Sequence, residues 1–270
     1  SGKATDCKSM TAGSNPVAAS IKKLKEIDQM GITITPLNTQ RTEALIKEAS
    51  NLTEFVTLKQ ELAKNHQLFE TPEQESFEFT YFFPEQEEQL KKEALFLILG
   101  SEAIIEAVRQ KCGNIRVLTH QTVNTESGEK VIRRSTMSDG NLEIESEFSY
   151  NPDYYKFIEQ LKVPNPAQEI DGDEVKTQAW YHGCLIFGDP GTGKYYRYKW
   201  CGAKCGSGTP INALDRCCQA HDRCWAKFGH GDNGCDMELY HCASKTSDPG
   251  WYMVADFGYE CAKNRLGSVC

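Results

Sequence analysis

Residues Cys217–Cys224 read Cys-Cys-Gln-Ala-His-Asp-Arg-Cys, and a second stretch, Cys235–Cys242, begins Cys-Asp and ends in cysteine. Asn212 precedes the first stretch as a candidate N-cap, and the residues from there to Phe228 predict a helix. A glycine-rich segment interrupts the pattern, and Met237–Ala243 predicts a second helix. Because the connection is short, we expect the two helices to run antiparallel.

The cysteines of these stretches indicate how the two helices lie against each other. Cys217 and Cys224 are two helical turns apart on one face, and Cys235 and Cys242 have the same spacing. An antiparallel register that sets Cys217 opposite Cys242 also sets Cys224 opposite Cys235. Two disulfides in this pattern would lock the register, each contributing about 2–4 kcal/mol in the loop-entropy estimate.

The same register places His221 nearly opposite Asp236. An aspartate facing a histidine fixes the tautomer of the ring and stabilises the imidazolium that forms in catalysis. This is a His–Asp pair without a serine, so we expect the nucleophile to be water, activated by His221 as general base. Asp222 is adjacent to the histidine and is free to bind a hard cation through its carboxylate.

The segment Trp200–Pro210, just before the first helix, reads Trp-Cys-Gly-Ala-Lys-Cys-Gly-Ser-Gly-Thr-Pro. Glycine lets the backbone bend so that carbonyl oxygens can point at one ion. Ca²⁺ accepts backbone carbonyls together with one or two carboxylates. A cation beside a general base suits acyl chemistry, because it polarises an ester carbonyl and stabilises the oxyanion.

The loop Trp200–Pro210, the stretch Cys217–Cys224 and Cys235–Cys242 with its Asp236 closely resemble the secreted phospholipase A2 superfamily. The residues around the loop end and the helix start are similar to the pancreatic and venom enzymes. The tryptophan at the start of the loop and the short link between the helices are more similar to the bee-venom type. Residues 1–175 show no such resemblance.

The resemblance implies calcium ligation by the carbonyl oxygens of Trp200 and Gly202 and by the carboxylate of Asp222. The loop is one residue longer than in the pancreatic type, so a third carbonyl ligand would come from Lys204 or Cys205. The amide of Gly202 would also help the ion to hold the oxyanion.

The resemblance further implies that His221 is the catalytic base and Asp236 its supporting acid. The implied reaction is hydrolysis of the sn-2 ester of glycerophospholipids at a membrane surface, giving a fatty acid and a lysophospholipid. Trp225 stands where many members have a tyrosine whose hydroxyl reaches the aspartate. The implied disulfides are Cys201–Cys218, Cys217–Cys242 and Cys224–Cys235.

Cysteine usage indicates an oxidising, secreted or otherwise extracytoplasmic location. The chain has 270 residues and 12 cysteines, most of them in the last third, which is typical of a disulfide framework. A zinc site is the alternative, but the paired CxxC knuckles of such sites are missing. Cys7 and Cys112 are a candidate pair, and four cysteines have no assigned partner: Cys184, Cys205, Cys261 and Cys270.

Charge and composition divide the chain in two. Residues 176–270 carry 11 Lys and Arg against 9 Asp and Glu, whereas the rest carries 19 against 29. The net charge of −8 argues against nucleic acid as a partner. We expect an α+β protein of two domains: an N-terminal domain at 1–168, an acidic linker at 169–175, and a phospholipase A2-like domain at 176–270.

The N-terminal domain is predicted to mix helices with an antiparallel sheet. Its sequence contains no catalytic motif, and His66 and His120 are expected to have structural roles. The predicted helices are 17–30, 42–66, 84–110 and 151–161, and the predicted strands are 32–35, 77–83, 114–122, 130–136 and 142–150.

The stretch Gly188–Lys194 is similar to a phosphate-binding loop of nucleotide-binding proteins. That mechanism needs a serine or threonine after the lysine and a helix beyond it. Tyr195 follows the lysine here, so we predict instead a β-hairpin that joins residues 185–187 to 195–200, and no nucleotide.

Two other functions remain open. The C-terminal domain could be a catalytically silent phospholipase-like binding or toxin module, although His221, Asp222 and Asp236 are all present. Alternatively, the N-terminal domain binds a protein or regulates the catalytic domain, as in a zymogen. No run of eighteen apolar residues occurs, so no membrane-spanning helix is expected.

Overall fold

The computed structural model of the chain describes residues 31–82, 90–109, 113–163, 184–202 and 205–263. The predicted helix at 17–30, the predicted linker at 169–175, and Cys7, Cys112 and Cys270 lie outside these residues.

A seven-stranded antiparallel sheet forms the N-terminal part, with its strands in chain order. Each strand pairs with the next, so the sheet is a meander in which every connection is local. Asp139 and Gly140 have φ values of 50° and 78°, which is typical of a tight hairpin turn. The strands are β1 Gly31–Pro36, β2 Glu73–Phe82, β3 Leu90–Gly100, β4 Ala103–Arg109, β5 Ile115–Asn124, β6 Lys130–Ser138 and β7 Asn141–Ser149.

The predicted helix at 84–110 is wrong, because β3 and β4 occupy most of that range. The run Ala94–Leu99 is apolar without alternation, since β3 is central and covered on both faces. Leu95 and Leu97 belong to one core, whereas Ala94 and Phe96 belong to the other. An unbroken apolar run does not distinguish a buried strand from a helix.

Two helices, α1 Thr39–Ser50 and α2 Thr53–Asn65, replace the predicted single helix at 42–66. The side chain of Asn38 caps α1 by accepting the amide of Arg41 at 2.9 Å. The break lets both helices turn their apolar faces to one side of the sheet, where they form one buried core with β3, β4 and β5.

Among its described residues, the cysteine-rich part contains a β-hairpin and three longer helices. The hairpin, β8 Ile186–Asp189 with β9 Lys194–Arg197, confirms the hairpin predicted from Gly188–Lys194. The helices are α4 Ala213–Phe228, α5 Asn233–Ala243 and α6 Trp251–Ala262, and a short helix α3, Phe157–Leu161, ends the N-terminal part. The sequence did not lead us to expect α6.

The second face of the sheet packs directly against the cysteine-rich part. One buried core joins Phe79 and Phe96 of the sheet to Trp251, Tyr252 and further residues of α6. Nearly all of α6 is buried. The α+β class with a disulfide-rich C-terminal part is therefore confirmed. Among the described residues, no helix has the length and hydropathy needed to cross a membrane.

Candidate functional site

The antiparallel pair α4–α5 carries the candidate site, and side-chain caps fix where both helices begin. The Asn212 side chain accepts the amide of Asp215 at 2.9 Å, and that of Asp232 accepts the amide of Cys235 at 3.0 Å. Disulfides Cys217–Cys242 and Cys224–Cys235 tie the helices together, each with a Cα–Cα distance of 5.7 Å. The helices thus have the register that the cysteine spacing indicated.

His221 and Asp236 lie between these two disulfides. His221 Nε2 is 2.8 Å from Asp236 Oδ1, and we call these two residues the site pair. His221 is 6% exposed and Asp236 is fully buried. The second carboxylate oxygen, Oδ2, is buried without a hydrogen-bond partner among the described residues. His221 Nδ1 likewise makes no hydrogen bond there, so this nitrogen is available to a water molecule.

Trp225 packs on the imidazole of His221. The two ring centroids are 4.1 Å apart, and the ring of His230 lies 4.0 Å from Trp225 on the outside. Trp225 therefore shields part of the His221 ring from solvent. Its indole Nε1 is buried without a partner among the described residues, so the indole supplies packing where a tyrosine would supply a hydroxyl.

Asp215, for which the sequence predicted no role, organises the loop before α4. Its fully buried carboxylate accepts the backbone amides of Trp200 at 2.7 Å, Lys199 at 3.1 Å and Ile211 at 3.0 Å. A carboxylate that gathers several backbone amides replaces the loop's hydration and fixes its path. The available signal was an acidic residue three positions after the Asn212 cap.

The loop places two predicted calcium ligands, Trp200 and Gly202, among the described residues. The carbonyl of Trp200 has no hydrogen-bond partner there, whereas that of Gly202 accepts the amide of Cys205 at 3.2 Å. Gly202 has φ 124°, a conformation that favours glycine. Lys204, the third predicted ligand, lies outside the described residues.

Asp222 is a half-buried carboxylate that faces this loop. A Cβ on Gly206 would lie 3.6 Å from Asp222 Oδ2, so the loop passes close to the carboxylate. Burial raises the pKa of Asp222 to about 6, although the nearby His221 lowers it. No hydrogen bond or ion pair involves this carboxylate within the described residues.

These donors fit a hard cation such as Ca²⁺, which takes carboxylate and carbonyl oxygens. In the part of the chain that the structure describes, no group of three His, Cys, Asp or Glu side chains could hold a metal. A cation at Asp222 would therefore depend on backbone carbonyls, such as that of Trp200.

The disulfides extend beyond the two that join α4 and α5. Cys201–Cys218 ties the loop to α4, and Cys184–Cys205 ties it to the start of the hairpin. The Cys201–Cys218 disulfide is the last of the three pairings that the resemblance implies. Cys184 and Cys205, to which the sequence assigned no partners, are bonded to each other, and Cys261 is also in a disulfide.

A second histidine–carboxylate pair lies inside the sheet and was missed. His120 Nε2 is 2.7 Å from Glu106 Oε2, and we call these residues the sheet pair. His120 Nδ1 is 2.8 Å from the hydroxyl of Tyr154, and the hydroxyl of Tyr252 donates to Glu106 Oε1 at 2.5 Å. Both members are at most 2% exposed, so the pair is sealed from solvent.

Comparisons with known proteins match the cysteine-rich part of the chain. The chain is 35% identical over 94 residues to a basic phospholipase A2 of Micrurus mipartitus, which covers 32% of this chain and 76% of that protein. It is 37% identical over 108 residues to the acidic phospholipase A2 homolog taipoxin gamma chain of Oxyuranus scutellatus scutellatus. It is 40% identical over 90 residues to a phospholipase A2 of Oryctolagus cuniculus.

The chain spans 59% of the length of the taipoxin gamma chain and 55% of the rabbit protein. These matches cover 39% and 32% of the present chain. No protein-family model matches the chain, and no solved structure matches it.

Proposed function

The chain belongs to the phospholipase A2 family, and we propose that it hydrolyses the sn-2 ester of glycerophospholipids in a calcium-dependent reaction. The observation that supports this most is the 2.8 Å contact between His221 Nε2 and Asp236 Oδ1, with the carboxylate of Asp222 beside it. The products would be a free fatty acid and a lysophospholipid.

His221 acts in this proposal as the general base. Its Nδ1 takes a proton from a water molecule, which attacks the ester carbonyl, and later returns a proton to the leaving alkoxide. Asp236 accepts the Nε2–H hydrogen bond, holds the tautomer with Nδ1 free, and stabilises the imidazolium. The packing of Trp225 limits rotation of the ring.

We propose that the carboxylate of Asp222 and the carbonyls of Trp200 and Gly202 hold Ca²⁺, with Lys204 as the further loop ligand. When bound, the ion polarises the ester carbonyl. The amide of Gly202 donates to the developing oxyanion. The elevated pKa of Asp222 and the unpartnered carbonyl of Trp200 support this set of ligands.

We propose that the protein is secreted or otherwise extracytoplasmic and binds phospholipid surfaces peripherally. The disulfides fit an oxidising compartment. Ile211 is 40% exposed just before α4 and Phe228 is 62% exposed at its end, so apolar side chains flank the helix that carries His221. Neither nucleic acid nor nucleotide is part of this proposal.

A catalytically silent module is the second candidate function, because the taipoxin gamma chain is itself named a phospholipase A2 homolog. A third is a zymogen-like enzyme restrained by its N-terminal part. The buried core shared by the sheet and α6 favours an N-terminal part that stays in place over one that is released.

Fatty-acid release from phospholipid vesicles tests the enzyme proposal. We expect release by the full chain in calcium, none in chelator, and a loss of about 10²-fold or more in His221→Gln. His241→Gln, an exposed histidine on α5, is the matched control and should keep full activity. Calcium binding without hydrolysis by the wild type would instead favour the silent module.

A further inference from the structure

Helix α5, which carries Asp236, is held from two sides. Toward α4 it is fixed by the disulfides Cys217–Cys242 and Cys224–Cys235. On its other side, Leu239 and Tyr240 are buried in the core shared with α6 and the sheet. The distance from Asp236 to His221 therefore depends on both sets of contacts.

Helices α5 and α6 approach each other closely at Gly258. A Cβ at this position would lie 2.8 Å from the carbonyl oxygen of Asp236 and 2.9 Å from the amide nitrogen of Tyr240. Both are backbone atoms, so a side chain at 258 would have to move α5 at the residue that faces His221. Helix α6 thus supports the backbone of the site pair from behind.

Helix α6 is in turn bound to the sheet by buried polar contacts. Lys92 Nζ on β3 lies 2.6 and 2.5 Å from the carboxylate oxygens of Asp256 on α6. Tyr252 on α6 donates to Glu106 on β4 at 2.5 Å. Glu260, also on α6, lies 3.7 Å from Lys92 Nζ. Because Lys92 is 7% exposed, its charge depends on these partners on α6, and α6 has little freedom to slide along the sheet.

The sheet also reaches α5 directly, through Tyr240, one helical turn beyond Asp236. Arg134 Nη1 on β6 donates to the Tyr240 hydroxyl at 2.9 Å, and Ser146 Oγ on β7 lies 2.8 Å from the same hydroxyl. The guanidinium carbon of Arg134 is 5.4 Å from the centroid of the Tyr240 ring. Tyr240 is fully buried and Arg134 is 7% exposed.

A buried guanidinium stays charged and directs its donors in one plane. Losing one acceptor would leave a donor unpaired in a place that water does not reach, and such a loss is costly. The hydrogen bonds of Arg134 and Ser146 therefore favour one position of the Tyr240 hydroxyl over all others. Because Tyr240 and Asp236 lie on one face of the same helix, this position also sets that of Asp236.

We propose that Arg134 is a positioning residue: by holding the Tyr240 hydroxyl, it fixes α5 so that Asp236 Oδ1 reaches His221 Nε2. The sheet is then a permanent part of the catalytic module. The catalytic consequence rests on the proposed function, whereas the effect on the His221–Asp236 contact exists without calcium or substrate.

Two variants remove the Arg134–Tyr240 contact. Tyr240→Phe deletes only the hydroxyl, and Arg134→Met keeps much of the side-chain volume without the donors. Arg133→Met is the matched charge control, because Arg133 is more exposed and pairs with Glu147 at the surface. Ile132→Ala is the stability control, because Ile132 is fully buried on the same face of β6 but makes no polar contact with α5.

The readout is the proton resonance of the His221 N–H that is hydrogen-bonded to Asp236, measured in calcium-free full-length protein. A charge-assisted hydrogen bond shifts such a proton far downfield. We expect the wild type, Arg133→Met and Ile132→Ala to share one downfield resonance. Tyr240→Phe and Arg134→Met should move it upfield or abolish it, while circular dichroism shows that the fold is retained.

Activity gives the second readout. We expect kcat to fall roughly 10- to 100-fold in Tyr240→Phe with little change in KM, because misplacement acts on the transition state. Ile132→Ala should lower the unfolding temperature without this change in kcat. If Arg134→Met does not fold, Tyr240→Phe alone decides.

An unchanged resonance in the folded variants, or an equal change in Ile132→Ala, would overturn the proposal. If the wild type hydrolyses no phospholipid, the proposed enzymatic function fails. The resonance then still shows whether Arg134 holds the His221–Asp236 contact.

Discussion

The site pair and the sheet pair contain the same chemical groups at nearly the same distance, 2.8 and 2.7 Å, yet they differ in what surrounds them. In the sheet pair, both nitrogens of His120 and both oxygens of Glu106 have partners. In the site pair, Nδ1 of His221 and Oδ2 of Asp236 have none among the described residues. We therefore expect the sheet pair to serve stability, and we propose that the site pair, whose Nδ1 has no partner among the described residues, serves chemistry.

The charges around the two pairs differ as well. Burial lowers the pKa of His120, although the hydrogen bond with Glu106 raises it. Burial alone would raise the pKa of Glu106, but the hydrogen bond from His120 and the charge of Arg134 lower it to about 2. Within the part of the chain that the structure describes, Asp222, beside the site pair, has no cationic side chain bonded to it, and burial raises its pKa.

Substituting each histidine gives the largest expected contrast. His221→Gln should lose hydrolysis by about 10²-fold or more, because an amide is no base. Its change in unfolding temperature should be small, because the glutamine amide can still donate a hydrogen bond to the buried Asp236. His120→Ala should cost about 1–3 kcal/mol of unfolding free energy for each lost hydrogen bond, because alanine offers no partner to Glu106 Oε2 or to the Tyr154 hydroxyl. Denaturant unfolding and vesicle assays on both variants measure this. Similar losses of unfolding free energy in the two variants would contradict the view that the sheet pair serves stability and the site pair serves chemistry.

Glu106→Gln tests how the unfolding free energy depends on pH through the sheet pair. Because folding lowers the pKa of Glu106 from 4.5 to about 2, its carboxylate stabilises the fold above pH 4.5. This contribution, about 3 kcal/mol, is lost as pH falls from about 4.5 to 2. Urea unfolding across this range should show a steeper loss for the wild type than for Glu106→Gln. Glu147→Gln, in a surface ion pair with Arg133, should follow the wild type.

Asp222→Asn should have opposite effects with and without calcium. Folding raises the pKa of Asp222 to about 6, so the fold favours the protonated form and loses stability as pH rises from about 4 to 6. In chelator at pH 7.5, the variant should therefore unfold at a higher temperature than the wild type. Added calcium should stabilise only the wild type.

Lower pH gives the control for Asp222→Asn. Below about pH 4 the advantage of the variant in chelator should disappear, because the wild-type carboxylate is then protonated in both states. Equal stabilisation of both proteins by calcium at pH 7.5 would mean that Asp222 is not a calcium ligand.

Trp225→Tyr makes the site pair more like the sheet pair and has the smallest expected effect. A tyrosine hydroxyl directed at Asp236 would give Oδ2 the partner that it lacks, which stabilises by about 1 kcal/mol. Trp225→Phe, which offers no hydroxyl, is the control. The unfolding temperatures of the two variants compare these effects. An equal rise in Trp225→Phe would show that the gain comes from removing the buried, unpaired indole nitrogen and not from a new hydroxyl bond.

The site was more predictable than the fold around it, because its signals are local in sequence. The spacing of four cysteines predicts the register of two neighbouring helices: Cys217, Cys224, Cys235 and Cys242. That register puts His221 opposite Asp236. The structure has this arrangement.

Features that depend on distant pairing could not be predicted in the same way. To predict the contact of His120 with Glu106, one must know that β4 pairs with β5. The range of β4 was instead assigned to the helix predicted at 84–110. Helix α6 is apolar on nearly all sides because the sheet and α5 cover it, so it lacks the amphipathic pattern that marks a surface helix.

We propose above all that the His221–Asp236 pair catalyses calcium-dependent cleavage at the sn-2 position. The most direct test of this proposal uses vesicles of a phospholipid with different acyl chains at sn-1 and sn-2, incubated with the full-length protein. We predict release of the sn-2 chain alone, in calcium and not in chelator. Release of the sn-1 chain, equal release in chelator, or no release would contradict the claim.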